Sequence, residues 1–416
     1  MSIKLRLIFM NFLEFFVWGS WLTSVAVYMQ RTLHFDGSQI TSVIATMGIA
    51  SLFMPALLGI VADRWVNAER ILGACHLIGA VLLFALTRVT DFESFFIIML
   101  LYTCFFMPTL GLTNSIAYNA LEKAKLDIVK DFPPIRVWGT VGFICAMWAV
   151  DLLKMTESAQ QLYIGAGAAL LLGLYSFTLP KCPPEKTQQK KSLVSTLGLD
   201  AFVLFKQKKM AIFFIFSMLL GAALQVTNAF GQTFLRSFEG MDIYKNSFAV
   251  QHPGILTSIS QISESLFILA IPFFMRRYGI KTVMLMSMTA WALRFGFFGV
   301  GNPGDGFIFL VLSMIVYGMA FDFFNVSGSL FVEMETKPNI RSSAQGLFIL
   351  MTNGIGTIVG MIGSGWVVDH FTQDGVTDWP KVWFSFSAYA VVLAITFIFV
   401  FKHEHNKEAV EKAGGY

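Results

Sequence analysis

Charge is what this sequence has least of: Asp, Glu, Lys and Arg make up 13% of its 416 residues. A soluble domain needs roughly a quarter or more of its surface charged, so a water-facing globule is excluded. Cysteine is scarcer still. The four, Cys75, Cys104, Cys145 and Cys182, stand singly, with no C-x-x-C pair and no His at ligand spacing. Neither a disulfide framework nor a metal site is indicated. Also missing are a paired-His metal motif, a G-x-S-x-G elbow and a phosphate loop, so no enzyme activity and no cofactor are expected. No stretch shows the ten-residue alternation of a transmembrane barrel strand.

What is there is apolar: 56% hydrophobic residues, including 43 Phe and 21 Met. A bilayer core takes about 20 apolar residues per helix, and such runs fall at 7–29, 40–62, 70–88, 94–118, 135–153, 160–180, 211–235, 254–275, 282–300, 306–330, 344–368 and 382–402. The expected fold is an all-α membrane protein with twelve transmembrane helices. The first run follows MSIKLR and lacks a small-residue cleavage site, so it reads as a retained helix and not a secretory signal. The longest polar interruption, 181–210, carries seven lysines and splits the runs six and six. The expected domains are a six-helix bundle at 1–180, a basic cytoplasmic linker at 181–210, a second bundle at 211–403 and a cytoplasmic tail at 404–416. Parallel-repeat transporters share this plan, with the substrate site at the midplane between their halves. Lys and Arg concentrate on the side that places both termini in the cytoplasm. The net charge of +4 is therefore a sign of topology and not of nucleic-acid binding.

Polar residues inside the runs are the candidate site. Residues three or four apart share a helix face. On that rule Gln225 and Asn228 pair, as do Gln261 and Glu264; Tyr317 aligns with Phe321, Asp322 with Asn325, and Arg136 with Thr140 and Phe143. Amides, a carboxylate and an Arg supply donors and acceptors, and the rings supply flat faces. A flat, polar, uncharged ligand fits such a set, a nucleobase or a sugar ring. Each residue also has a plainer role: amides tie membrane helices together, and Glu264 or Asp322 could be held in an ion pair by Arg136 or Arg294. Glu14 is a second-rank cavity-wall residue. His76 reads as a packing residue, because no carboxylate lies one turn away on its helix. The stretch TNGIGTIVGMIGSG, Thr352 to Gly365, has the small-residue spacing of close helix packing.

The turn GIVADRW, with Gly59, Asp63 and Arg64, resembles the G-x-x-x-D-R element of the major facilitator superfamily, where an acid and a base at a helix end latch one conformation. Further strings, GSWLTS, MPALLGIVAD, DFPPIRVWGT, LGLDAF, AIFFIFSMLLGA, SISQISE and FDFFN, in this order, resemble the bacterial nucleoside:H+ symporters from about Leu5 to Phe401. The resemblance implies two six-helix bundles of the major facilitator superfamily fold. It also implies proton-driven nucleoside import across the bacterial inner membrane, by a monomer whose partners are nucleoside, H+ and the lipid bilayer. It puts Arg136, Thr140, Gln225, Asn228, Gln261, Glu264, Tyr317 and Phe321 at substrate-contact positions, with Phe143 as a further packing ring. Asp322, and with it Glu264, falls to proton coupling, and Asp63 and Arg64 to the latch. The pattern departs at Glu14, where the best-known relative carries Gln. A proton-coupled sugar symporter of the same fold is the alternative that the amide-and-aromatic set leaves open.

Overall fold

Backbone N–H and C=O groups in hydrocarbon must bond within the protein, and the chain meets this requirement almost entirely with helices. The computed structural model describes residues 2–184, 199–337 and 340–403. Two compact units divide the chain, Met1–Leu193 and Val194–Tyr416. Much of the expected linker, at 185–198, and the expected tail, 404–416, lie outside the described residues.

The first unit runs α1 (Ile3–Gly19), α2 (Val25–Arg31), α3 (Gly37–Arg64), α4 (Ala68–Leu86), α5 (Phe92–Phe106), α6 (Thr109–Lys123), α7 (Ile128–Leu152) and α8 (Gln160–Ser176). Side-chain caps start several of them. At α3 the Asp36 carboxylate accepts from the Gln39 N–H at 2.7 Å and the Gln39 amide oxygen accepts from the Asp36 N–H at 3.1 Å, a closed capping box. Its core joins Leu7, Met10 and Leu13 of α1 to Leu72 and Cys75 of α4 and to Ile116 and Ala120 of α6. Two expected spans are broken. The run 7–29 leaves the helix between Gly19 and Val25, and the run 94–118 breaks at Met107–Pro108, where proline has no N–H for the preceding turn.

In the second unit a 3-10 segment, Leu199–Lys206, leads into α9 (Lys208–Leu224), α10 (Val226–Ser237), α11 (Pro253–Val300), α12 (Phe307–Glu335), α13 (Arg341–Ile349), α14 (Thr357–His370) and α15 (Trp379–Val400). The expected span 211–235 is interrupted at Gln225, with φ −94° and ψ −7°. The expected spans 254–275 and 282–300 run on through α11, turning at Gly279, whose φ of 76° suits glycine. Between α13 and α14, Leu350–Gly356 widens into a π-type turn that packs on α9. A Cβ at Gly360 would lie 2.1 Å from the Ala222 carbonyl oxygen of α9 and one at Gly356 2.6 Å from that of Met218, so the Gly-rich stretch does serve close packing. After α14 comes a hairpin absent from the expectation: β1 (Thr372–Gln373) pairs antiparallel with β2 (Val376–Thr377). Positive φ at both Asp374 (49°) and Gly375 (78°) fits an Asp-Gly turn.

Nine helical segments among the described residues are long and apolar enough to cross a membrane. Two more, α1 and α8, have 17 residues each. The architecture is that of an all-α membrane protein.

Candidate functional site

Each unit carries its own share of the polar residues singled out above. In the first, α7 presents Arg136, Thr140 and Phe143. The Arg136 guanidinium lies over the Phe15 ring of α1, 4.0 Å from its centroid. Phe143 is buried and meets Trp18 edge-on at 6.1 Å. Thr140 is half-buried beside them.

In the second unit the break between α9 and α10 turns Gln225 so that its amide oxygen accepts from Asn228 Nδ2 at 2.8 Å. The expected i,i+3 pair is therefore formed. Gln261 and Glu264 lie on α11, and α12 comes against them backbone to backbone. A Cβ on Gly318 would sit 2.5 Å from the Ser263 carbonyl oxygen and 2.8 Å from the Glu264 nitrogen. The Ser263 hydroxyl donates to the Ile315 carbonyl across the same contact. This approach sets Tyr317 and Asp322 of α12 within range of the Glu264 charge.

Tyr317 and Phe321 stack on one another, with centroids 5.8 Å apart and planes at 12°. The i,i+4 pair makes a flat aromatic face. Phe321 and Asn325 also line a cleft with Trp291 and Thr352. Two polar atoms at this place have no partner among the described residues: Asp322 Oδ2 and Gln261 Oε1, both buried. An unmet buried acceptor costs ~1–3 kcal/mol, so both atoms are poised for a proton or a donor. Asp322 is 5% exposed.

Arg294 does not supply the ion pair weighed from the sequence. Its partners are neutral: Thr227 Oγ1 at 3.0 Å, the Ser313 carbonyl at 2.9 Å, Ser260 Oγ at 3.3 Å and the Tyr317 ring at 4.4 Å. Its bonds hold α11 to α10 and α12 and fix the Tyr317 ring.

Glu14 and His76 are placed otherwise than expected. Glu14 lines no wall: it is 0% exposed, and its Oε2 lies 2.8 Å from His76 Nε2. Its Oε1 accepts from Thr109 Oγ1 at 2.6 Å. His76 thus has a carboxylate partner, supplied by α1 and not by its own helix. Only the alternation of polar and apolar residues on α1, with Asn11 and Glu14 three apart, hinted at a polar seam there. Of the proposed latch, Arg64 closes α3 in an exposed position and the Asp63 side chain lies outside the described residues. No group of three or more His, Cys, Asp or Glu able to hold a metal occurs among the described residues.

The chain as a whole is similar to known proteins. The family model described as "Nucleoside H+ symporter" matches residues 1–406. The nucleoside permease NupG of Escherichia coli K12 is 56% identical over 406 residues, 97% of either chain. The xanthosine permease of the same organism is 55% identical over 412 residues, 99% of either chain. A crystal structure of the nucleoside transporter NupG, at 56% identity, superposes with a TM-score of 0.92, covering 97% of this chain and 100% of that one. A bacterial homologue of the lysosomal transporter Spinster, at 14% identity and a TM-score of 0.71 over 99% of this chain and 97% of that one, shares the fold.

Proposed function

We propose a working site for this chain, which belongs to the nucleoside H+ symporter family and imports nucleosides together with protons. Gln225, Asn228, Gln261 and Glu264 hydrogen-bond the ribose and base, Arg136 and Thr140 add further polar contacts, and Phe143, Tyr317 and Phe321 pack on the flat rings. Asp322, with Glu264, takes up the coupling proton. The observation that carries this reading is the buried, unpartnered Asp322 Oδ2 beside the stacked Tyr317 and Phe321 rings.

A charged carboxylate opposes closure of a dry site, at ~2.5–3.5 kcal/mol on insertion scales, and a proton removes that charge. Substrate amide and hydroxyl groups satisfy Gln261 and Gln225, so that the loaded, protonated site can close and change the side to which it opens. The membrane potential adds ~2.3 kcal/mol per charge per 100 mV to inward movement.

The wider reading is twelve crossings, with α1 and α8 as short spans and α11 counted twice across Gly279. Both termini lie in the cytoplasm, the membrane is the bacterial cytoplasmic membrane, and the protein works as a monomer. Asp63 and Arg64 latch one conformation at the end of α3. The test is competition in energised vesicles: unlabelled uridine or adenosine should displace uptake of a labelled nucleoside, and a disaccharide should not. Uptake of the disaccharide with no nucleoside competition would contradict the proposed site.

A further inference from the structure

We infer that Glu14, His76 and Thr109 are positioning residues: the trio fixes α1 so that Phe15 lies beneath Arg136. The inference rests on the proposed substrate role of Arg136.

The geometry is closed on every side. His76 and Glu14 side chains are 2% and 0% exposed. Both carboxylate oxygens are engaged, one by the imidazole and one by the Thr109 hydroxyl. Phe106 meets the His76 ring edge-on at 6.2 Å. The other titratable groups that feel Glu14 are the Cys75 thiol of α4 and the Tyr102 phenol of α5, the latter accepting from Trp21 Nε1 at 3.2 Å. From α7 the charges facing α1 are Arg136, which is turned to Phe15, and Asp131, which pairs with Lys4 at 2.6 Å. From α8, Tyr175 reaches the Arg6 carbonyl near the start of α1.

All three side chains belong to one compact unit, and the trio acts through geometry. On the α7 side, α1 is held by close backbone contact: a Cβ at Gly142 would fall 2.1 Å from the Phe12 carbonyl oxygen, and one at Gly19 2.5 Å from that of Phe143. On the α4 and α6 side it is held by Glu14. The next residue, Phe15, carries the ring 4.0 Å from Arg136. A rotation of α1 moves that ring, and small displacements of a positioning contact are expensive.

Glutamine can make the same two bonds without a titratable proton, its oxygen accepting from Thr109 and its amide donating to neutral His76 Nε2. Nucleoside uptake by proteoliposomes reads KM and Vmax for Glu14→Ala, Glu14→Gln, Thr109→Val and Arg136→Ala. Glu14→Ala should raise KM about tenfold and Thr109→Val about threefold, with Vmax within about twofold. Glu14→Gln should restore KM and leave the pH profile of uptake superimposable on the parent's. Thr109→Val keeps the Glu14–His76 pair and so reports even where Glu14→Ala does not fold. An unchanged KM in Thr109→Val, or a Glu14→Gln whose pH profile shifts or whose proton co-transport is lost, overturns the inference. If Arg136→Ala itself leaves KM unchanged, the substrate role of Arg136 fails. If Arg136→Ala raises KM while Thr109→Val and Glu14→Ala do not, the positioning role alone fails.

Discussion

Glu14 and Asp322 are both carboxylates withdrawn from water, one in each unit, at 0% and 5% exposure. Glu14 has both oxygens bonded, to His76 at 2.8 Å and Thr109 at 2.6 Å. Asp322 has an oxygen with no partner among the described residues, next to a half-buried Glu264. Burial alone therefore does not make an acid a transport residue. An acid with both oxygens bonded to fixed groups gains less from a proton than one with an oxygen left unmet, which gains a bond and loses a charge when a proton arrives. The difference separates a brace from a coupling group.

The largest effect expected from this contrast is on accumulation. For one coupled proton, 100 mV of potential supplies ~2.3 kcal/mol, so Asp322→Asn should lower the nucleoside accumulation ratio by about 50-fold. Exchange of labelled for unlabelled substrate across an unenergised membrane should persist. Stability should move in the opposite sense. Glu14→Ala leaves His76 without its partner and should cost about 3–5 kcal/mol, read as an earlier thermal unfolding in detergent. Asp322→Asn removes a buried charge and should unfold no earlier than the parent. A fall for Asp322→Asn comparable with that for Glu14→Ala would erase the contrast.

Smaller effects sharpen it. Gly221→Ala pushes a methyl against the Thr352 carbonyl and should cost about 1–3 kcal/mol by overpacking, with proton coupling retained. Smallest is Asp378, the cap of α15, whose carboxyl is held below the ordinary carboxylate range by its hydrogen bond to Lys381. A depressed folded value means stability present above the unfolded pKa of ~3.9 and lost as the pH falls from there through the folded value. Because the group is 39% exposed, the loss in Asp378→Asn above pH 4 should be about a few tenths of a kcal/mol.

Part of the geometry around the candidate residues was legible because it is local. Tyr317 and Phe321 are four residues apart on one helix, and helical spacing brings them together; Gln225 and Asn228 are three apart and meet at the turn between α9 and α10. Glu14 and His76 are 62 residues apart, and no rule about one helix could join them; the pairing depends on how α1 packs against α4. The helix breaks divide the same way. Pro108 announces its own break, but Gln225 carries no such mark, since its turn is held by a side-chain bond to Asn228. The 372–377 hairpin was readable from Asp374–Gly375 between Gln and Val, yet it is too short to stand out beside runs of twenty apolar residues.

The most direct measurement is the proton taken up with each nucleoside, followed by an internal pH dye in proteoliposomes with no applied gradient. Nucleoside influx should acidify the interior with the parent chain and with Glu14→Gln, and should leave it unchanged with Asp322→Asn. Acidification by Asp322→Asn at the parent's ratio, with none from Glu14→Gln, would assign the titrating proton to the paired acid and contradict the account.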